Sequence, residues 1–309
     1  MATTDYQLII LGGGPAGLTA GLYAARDRLK VLLLEKGAMG GQVLVTDWID
    51  NYPGFPEGLS GSDLAEKMAA QAARFELETK IGNVVKVELS ETVKRLTLES
   101  GEEITSQALI ICTGARPNKL SVPGEEELTG RGVSYCATCD GPFFRDQDIV
   151  VVGGGDTAIQ EADFLTRFAR KVRVVHRRDS LRATKVLQEK AFKNERIEFI
   201  WNSNVTAIEG DREVERIRLR DNGGRETEIA ASGIFILIGT IPNSEVFPLE
   251  QLGADKYGFI ITDEEMRTRI PGVMAAGDIR SKSVRQVING AGEAAVAAIA
   301  AENYLSGLE

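Results

Sequence analysis

Two of the three cysteines are spaced for chemistry: Cys136-Ala137-Thr138-Cys139, followed by Asp140. A Cys-x-x-Cys spacing lets two sulfurs meet across one helical turn, and a helix start beneath them favours the thiolate, the form that attacks disulfides. A zinc site would need a second ligand pair at similar spacing, and none follows; the sole histidine, His176, lies 37 residues beyond Cys139. The pair therefore reads as a redox couple with no metal, and Asp140 as the carboxyl that supplies a proton when a disulfide becomes a dithiol. Cys112, among Leu109, Ile110 and Ile111, reads as an ordinary buried cysteine.

Redox chemistry at a sulfur pair needs an electron donor, and two glycine turns point to where donors bind. The run Gly12-Gly13-Gly14-Pro15-Ala16-Gly17 follows the apolar stretch 6–11 and precedes helical spacing over 18–26. The run Gly153-Gly154-Gly155-Asp156-Thr157-Ala158 follows 149–152 and precedes helical spacing to Ala169. Strand, glycine turn and helix form a cradle in which a pyrophosphate approaches bare amides that a Cβ would block. Glu35 closes the second strand of the first unit 18 residues after Gly17, and His176 stands 18 residues after Ala158 in the second. Two matched registers predict two dinucleotides. Glu35 accepts hydrogen bonds from ribose hydroxyls and repels a 2′-phosphate, which suits FAD or NAD. His176-Arg177-Arg178 with Arg182 offers forked donors to phosphate oxygens, which suits NADPH, with His176 contacting the adenosine.

These turns need sheets to carry them. Apolar runs at 31–34, 108–114, 172–175, 233–239 and 270–278 are expected to be strands, 31–34 as a parallel neighbour of the first strand, 6–11. The pairs 84–89 with 95–98 and 205–208 with 217–219 should be antiparallel ribbons, and 286–305 an alanine-rich helix. The fold class is α/β: two Rossmann-like, three-layer ββα dinucleotide-binding domains, the second inserted into the first. The expected boundaries are 1–118 and 244–309 for the first domain and 119–243 for the insert, with exits marked by Pro117 and Pro242. The 309 residues carry 36 Lys+Arg against 45 Asp+Glu, a formal net charge of −9, which argues against nucleic-acid or anionic-membrane partners. No run approaches the ~18 apolar residues of a membrane span, and the first residues carry no basic signal-peptide pattern, so a cytoplasmic protein is expected.

Taken together, Gly12 to Gly17, Gly40-Gly41-Gln42, Asn51-Tyr52-Pro53-Gly54, Thr113-Gly114-Ala115, Cys136 to Gly141, Gly153 to Ala158, His176 to Asp179 with Arg182, Gly277-Asp278 and Arg285-Gln286 resemble the low-molecular-weight bacterial NADPH-dependent thioredoxin reductases, FAD-containing members of the pyridine nucleotide-disulfide oxidoreductases. The resemblance implies FAD in the first domain, contacted by Gly41, Gln42, Asn51, Val85, Thr113, Gly114, Asp278, Arg285, Gln286 and Val287, and NADPH in the second. It also implies a homodimer, thioredoxin or a similar small disulfide protein as partner, Cys139 as the sulfur nearest the flavin and Cys136 as the one that attacks thioredoxin. Family members that use ferredoxin lack the His-Arg-Arg cluster. Two other readings stay open on the sequence: an NADPH–ferredoxin oxidoreductase with an incidental cysteine pair, and a nucleotide-binding redox sensor.

Overall fold

The computed structural model describes residues 3–46 and 48–307. The chain forms two compact units: the first runs to Arg116 and resumes at Ile241, and the second is Pro117–Thr240. In the first, β1 (Tyr6–Leu11) lies between β2 (Val31–Glu35) and the later β6 (Glu103–Ile111), parallel to both. The side chains of β1 alternate between two cores. Leu8 and Ile10 pack with α1 (Pro15–Arg26), while Ile9 and Leu11 pack on the opposite face. A strand buried on both faces has no polar alternation, which is why it reads as an unbroken apolar run. After α2 (Gly61–Ala73), β3 (Glu78–Ile81) extends the sheet beside β2. The ribbon of β4 (Val84–Leu89) and β5 (Lys94–Leu98) is antiparallel and pairs with the first half of β6, Lys94 opposite Ser106. The chain then enters β7 (Ala115–Pro117).

The second unit repeats the plan. Its parallel sheet has the order β11-β10-β9-β15-β8, formed by β8 (Val133–Ser134), β9 (Asp148–Val152), β10 (Lys171–Val175), β11 (Ile197–Ile200) and β15 (Gly233–Ile236). One face carries α3 (Ala137–Asp140), α4 (Asp156–Leu165) and α5 (Lys185–Lys193) over Ile149, Val151, Val172 and Val174. The other carries the antiparallel β12 (Ser203–Glu209), β13 (Arg216–Asp221) and β14 (Glu226–Ala230) over Val150, Val152, Ile234 and Ile236. The chain leaves through β16 (Thr240–Pro242), which pairs with β7. Past the short α6 (Leu249–Leu252), β17 (Val273–Ala275) lies parallel to the second half of β6, and α7 (Val287–Ser306) covers α1 and β6. The fold is thus two Rossmann-type ββα sandwiches, the second inserted into the first.

Several elements are shorter than the apolar runs suggest. β6 stops at Ile111 and β15 at Ile236, ahead of Gly114 and Gly239, whose φ of +65° and +112° turn the chain out of the sheet. β17 is confined between Gly272 (φ +71°) and Gly277 (φ +80°). α4 ends at Leu165 rather than Ala169, where the Thr166 hydroxyl turns back to the Asp163 carbonyl at 2.6 Å.

Candidate active site

The sulfurs of Cys136 and Cys139 form a disulfide, with Cα atoms 5.3 Å apart. Cys136 is the last extended residue before α3, and its sulfur accepts the Cys139 N–H at 3.3 Å. The Thr138 hydroxyl lies 3.4 Å from the same sulfur, and the Ser134 Oγ accepts the Cys136 N–H at 3.1 Å. Asp140 closes the helix. Ala137, between the sulfurs, is fully buried, and its N–H donates to Glu161 Oε2 on α4 at 3.3 Å. Burial pushes the Glu161 carboxyl up, and the Ala137 N–H partly draws it back. Spacing alone missed Glu161, yet a signal existed: it stands at i+3 from Ala158, on a stripe that continues with Ala162 and Leu165, where an apolar residue is the rule.

The second glycine turn lies in the same unit. A Cβ on Gly153 would meet the Leu237 carbonyl and Ala158 Cβ at 2.6 Å each, so the turn closes only on glycine. The Gly155 side is open: the nearest atom to a Cβ there is the Arg182 guanidinium, at 4.0 Å. Gly155 precedes α4 with no side-chain cap, leaving first-turn amides free for an anion. Asp156 Oδ1 accepts the Thr184 N–H at 2.6 Å, and Thr157 is exposed. Arg177, Arg178 and Arg182 are exposed, and among the described residues none is in an ion pair. His176 sits differently from its neighbours. It is only 6% exposed, its ring lies under Gly154, and its Nε2 has no hydrogen-bond partner among the described residues. Burial lowers its pKa, opposed by a Ser180 backbone hydrogen bond, and Arg178, Arg182 and Arg177 lower it further.

In the first unit the glycines divide their duties. A Cβ on Gly12 (φ +108°) would strike the Cys112 carbonyl at 2.4 Å, and one on Gly17 would lie 1.7 Å from the Gly12 carbonyl, so these two set the turn and the helix contact. A Cβ on Gly14 would make only ordinary contacts, with Gly40 O and Gly41 Cα at 3.9 Å, so this glycine is not crowded by the fold. Pro15 and Ala16 open α1, where no side chain caps the amides. Glu35 turns its carboxylate to the loop: Oε2 accepts the Gly13 N–H at 2.6 Å and Oε1 the Gly37 N–H at 3.0 Å, which leaves a second lone pair on each oxygen.

The remaining residues expected to contact FAD come from distant parts of the same unit. Gly41 lies beside Gly14, and Gln42 is exposed next to it. Asn51 Nδ2 donates to Gln286 Oε1 at 3.0 Å, across 235 residues. Val287 packs on the cluster of Val43, Ile49 and Leu64, and Val85 is exposed on β4. Thr113 is braced by Asn243, whose amide donates to the Thr113 carbonyl at 2.7 Å, while the Gly114 carbonyl accepts the Asn243 N–H at 3.0 Å. Arg285 lies 4.4 Å from the Phe259 ring centroid, and its buried Nε has no hydrogen-bond partner among the described residues. The turn Gly277–Asp278 is held by Glu293 of α7, which accepts the Gly277 N–H at 2.9 Å, Arg280 Nη1 at 2.8 Å and Lys282 Nζ at 3.2 Å. Lys282 also reaches Asp278 at 3.2 Å. Asn243, Lys282 and Glu293 were not legible as site residues, because each acts through a fold contact rather than a motif.

A disulfide in one nucleotide-type unit, beside a second such unit in sequence, is the arrangement of a known family. Residues 6–297 match the family described as Pyridine nucleotide-disulphide oxidoreductase. The chain belongs to that family. This oxidoreductase is 47% identical to the thioredoxin reductase of Peptoclostridium acidaminophilum over 307 residues, covering 97% of each chain, and 46% identical to that of Listeria monocytogenes, covering 98% of this chain and 95% of the other. Among solved structures, the thioredoxin reductase from Streptococcus pyogenes superposes with a TM-score of 0.94 at 46% identity, covering 98% of both chains. That of Lactococcus lactis in its FR conformation gives 0.66 at 45% identity, covering 98% of this oxidoreductase and all of that chain.

Proposed function

We propose that this chain is a thioredoxin-disulfide reductase that passes reducing equivalents from NADPH, through FAD and the Cys136–Cys139 disulfide, to oxidised thioredoxin or a similar small disulfide protein. The observation that carries the reading is the contrast between two otherwise matched cradles. One strand ends in the Glu35 carboxylate and the other in three exposed arginines, in no ion pair among the described residues, with a disulfide in the latter's unit.

The residues fit both groups. The uncrowded Gly14, free α1 amides and the spare lone pairs of Glu35 suit a pyrophosphate and an unphosphorylated ribose; Arg177, Arg178 and Arg182 around the open Gly155 suit a 2′-phosphorylated one. Bound flavin supplies the hydride-accepting and electron-delivering ring. On the protein side, the disulfide takes up two electrons and two protons to become a dithiol, with Asp140 delivering one proton. Cys136 gives up its proton and the resulting thiolate attacks the partner's disulfide, the leaving partner sulfur taking up a proton. Cys139 gives up its proton and attacks the mixed disulfide, restoring the Cys136–Cys139 bond and releasing the partner with its second sulfur protonated, as a dithiol. The connections β7 and β16 serve as a hinge that lets the second unit alternate between steps. The working form is a homodimer, supported by Ile288, Val296 and Ile299, which stand exposed on the otherwise apolar α7. Its place is the cytoplasm, where a lone dithiol stays reducible.

Purified protein should be yellow, bleach with NADPH and recover colour on adding oxidised thioredoxin. Cys136→Ser and Cys139→Ser should each abolish thioredoxin reduction. Full thioredoxin turnover by either variant would overturn the reading.

A further inference from the structure

We propose that Glu161 is a positioning residue for the sulfur pair: its carboxylate occupies the Ala137 N–H and so holds back the thiolate of Cys136. The proposal rests on Cys136–Cys139 being the redox pair. The amides of the first turn after a cysteine are what stabilise its thiolate. Cys136 stands at that place, and its sulfur takes the N–H of Cys139 at 3.3 Å. The N–H of Ala137, the first residue of α3, is instead directed to Glu161 Oε2 at 3.3 Å. The Glu161 side chain acts twice: it withdraws one donor dipole from the sulfur's surroundings, and in its ionised form, which burial opposes, it holds a negative charge 3.3 Å from the amide that follows Cys136.

Among the described residues no cation is paired with this carboxylate. The pKa of Glu161 responds to burial, which raises it, and to the Ala137 N–H, and to no neighbouring charge. Asp156 accepts the Thr184 N–H at 2.6 Å, Asp163 is paired with Lys190 at 2.7 Å, and Asp140 follows Cys139 at the end of α3. A glutamate here is also costly for packing, since it interrupts the apolar stripe of Ala158, Ala162 and Leu165. A thiolate stabilised less makes the dithiol more prone to give up its electrons, which suits a couple that must reduce other disulfides.

The test uses the full chain carrying Cys139→Ser, in which Cys136 is a free thiol, with and without Glu161→Gln. The rate of Cys136 carbamidomethylation by iodoacetamide is followed against pH, with the Cys136 peptide read by mass spectrometry so that Cys112 does not contribute. The midpoint of the profile is the readout, because its plateau alone would report access. Glu161→Gln keeps an acceptor for the Ala137 N–H and removes the charge. The midpoint should fall by about half a pH unit, giving roughly threefold faster alkylation at pH 7. Should Glu161→Gln not fold, Glu161→Ala should shift the midpoint in the same direction. Superimposable profiles, or a rise in midpoint, would overturn the proposal. The assay needs neither NADPH nor thioredoxin, so this failure is distinct from a failure of the reductase reading, which the turnover of the cysteine variants decides.

Discussion

Arg177, Arg178 and Arg182 stand exposed where the second cradle ends, in no ion pair among the described residues, and the Arg182 guanidinium is the atom group nearest a Cβ on Gly155. A charge-assisted hydrogen bond contributes about 1.5–3 kcal/mol. Arg182→Ala should therefore raise KM for NADPH about tenfold or more, with kcat little changed and NADH, which has no 2′-phosphate, unaffected; steady-state kinetics with both nucleotides checks this. Buried His176 makes a different prediction. Its pKa in the folded chain lies below the ordinary 6.5, so the unfolded chain binds that proton more readily. Its contribution to stability is complete above pH 6.5 and is lost as pH falls below it. His176→Gln should accordingly lessen the fall in urea midpoint between pH 7 and 5.5. The sulfur pair and the two glycine turns were legible from spacing because their geometry is local in sequence, whereas Glu35 and the arginines were read from their place at the strand ends. His176 was legible only as part of its motif: that its ring lies under Gly154 rather than open at the strand end depends on tertiary packing. Glu161 escaped because its partner is 24 residues away.

Among the elements, the central strands could be read because β1, β2, β9 and β10 are buried runs. The edge strand β3, Glu78-Thr79-Lys80-Ile81, and the hairpin strand β14 could not, since both are exposed and polar and are strands only by virtue of their neighbours. The helix α7 was legible as a helix, though not the use it makes of Glu293. That carboxylate is buried between Arg280 and Lys282 and holds the Gly277 amide. Removing one member of a buried ion cluster strands its partners at a cost of about 3–5 kcal/mol. Glu293→Gln should lower the urea midpoint accordingly. By freeing the Gly277–Asp278 turn, it should also leave less flavin on the protein after exhaustive dialysis, measured by absorbance.

For the molecule as a whole, the duplicated plan of two ββα units was visible in the matched 18-residue intervals, which recur because both sheets set the same crossover length. Assembly is written less plainly, since an alanine-rich helix reads the same whether it faces a core or another chain. The proposed dimer predicts that Val296→Asp together with Ile299→Asp gives monomers in light scattering where the unaltered chain gives dimers, while each monomer keeps its circular dichroism. Cross-linking engineered cysteines across the hinge connections should stop thioredoxin turnover without unfolding either unit.

The long strand β6 has one edge divided between β5 and β17, and β17 and α7 lie beyond the whole insert. During synthesis on the ribosome, the insert has all its strands once residue 236 has emerged, whereas the first unit still has a raw sheet edge and an uncovered α1. The insert is therefore free to fold first, and the first unit is completed only once β17 and α7 have left the exit tunnel. A chain truncated shortly before β17 should yield a protease-resistant insert and no bound flavin.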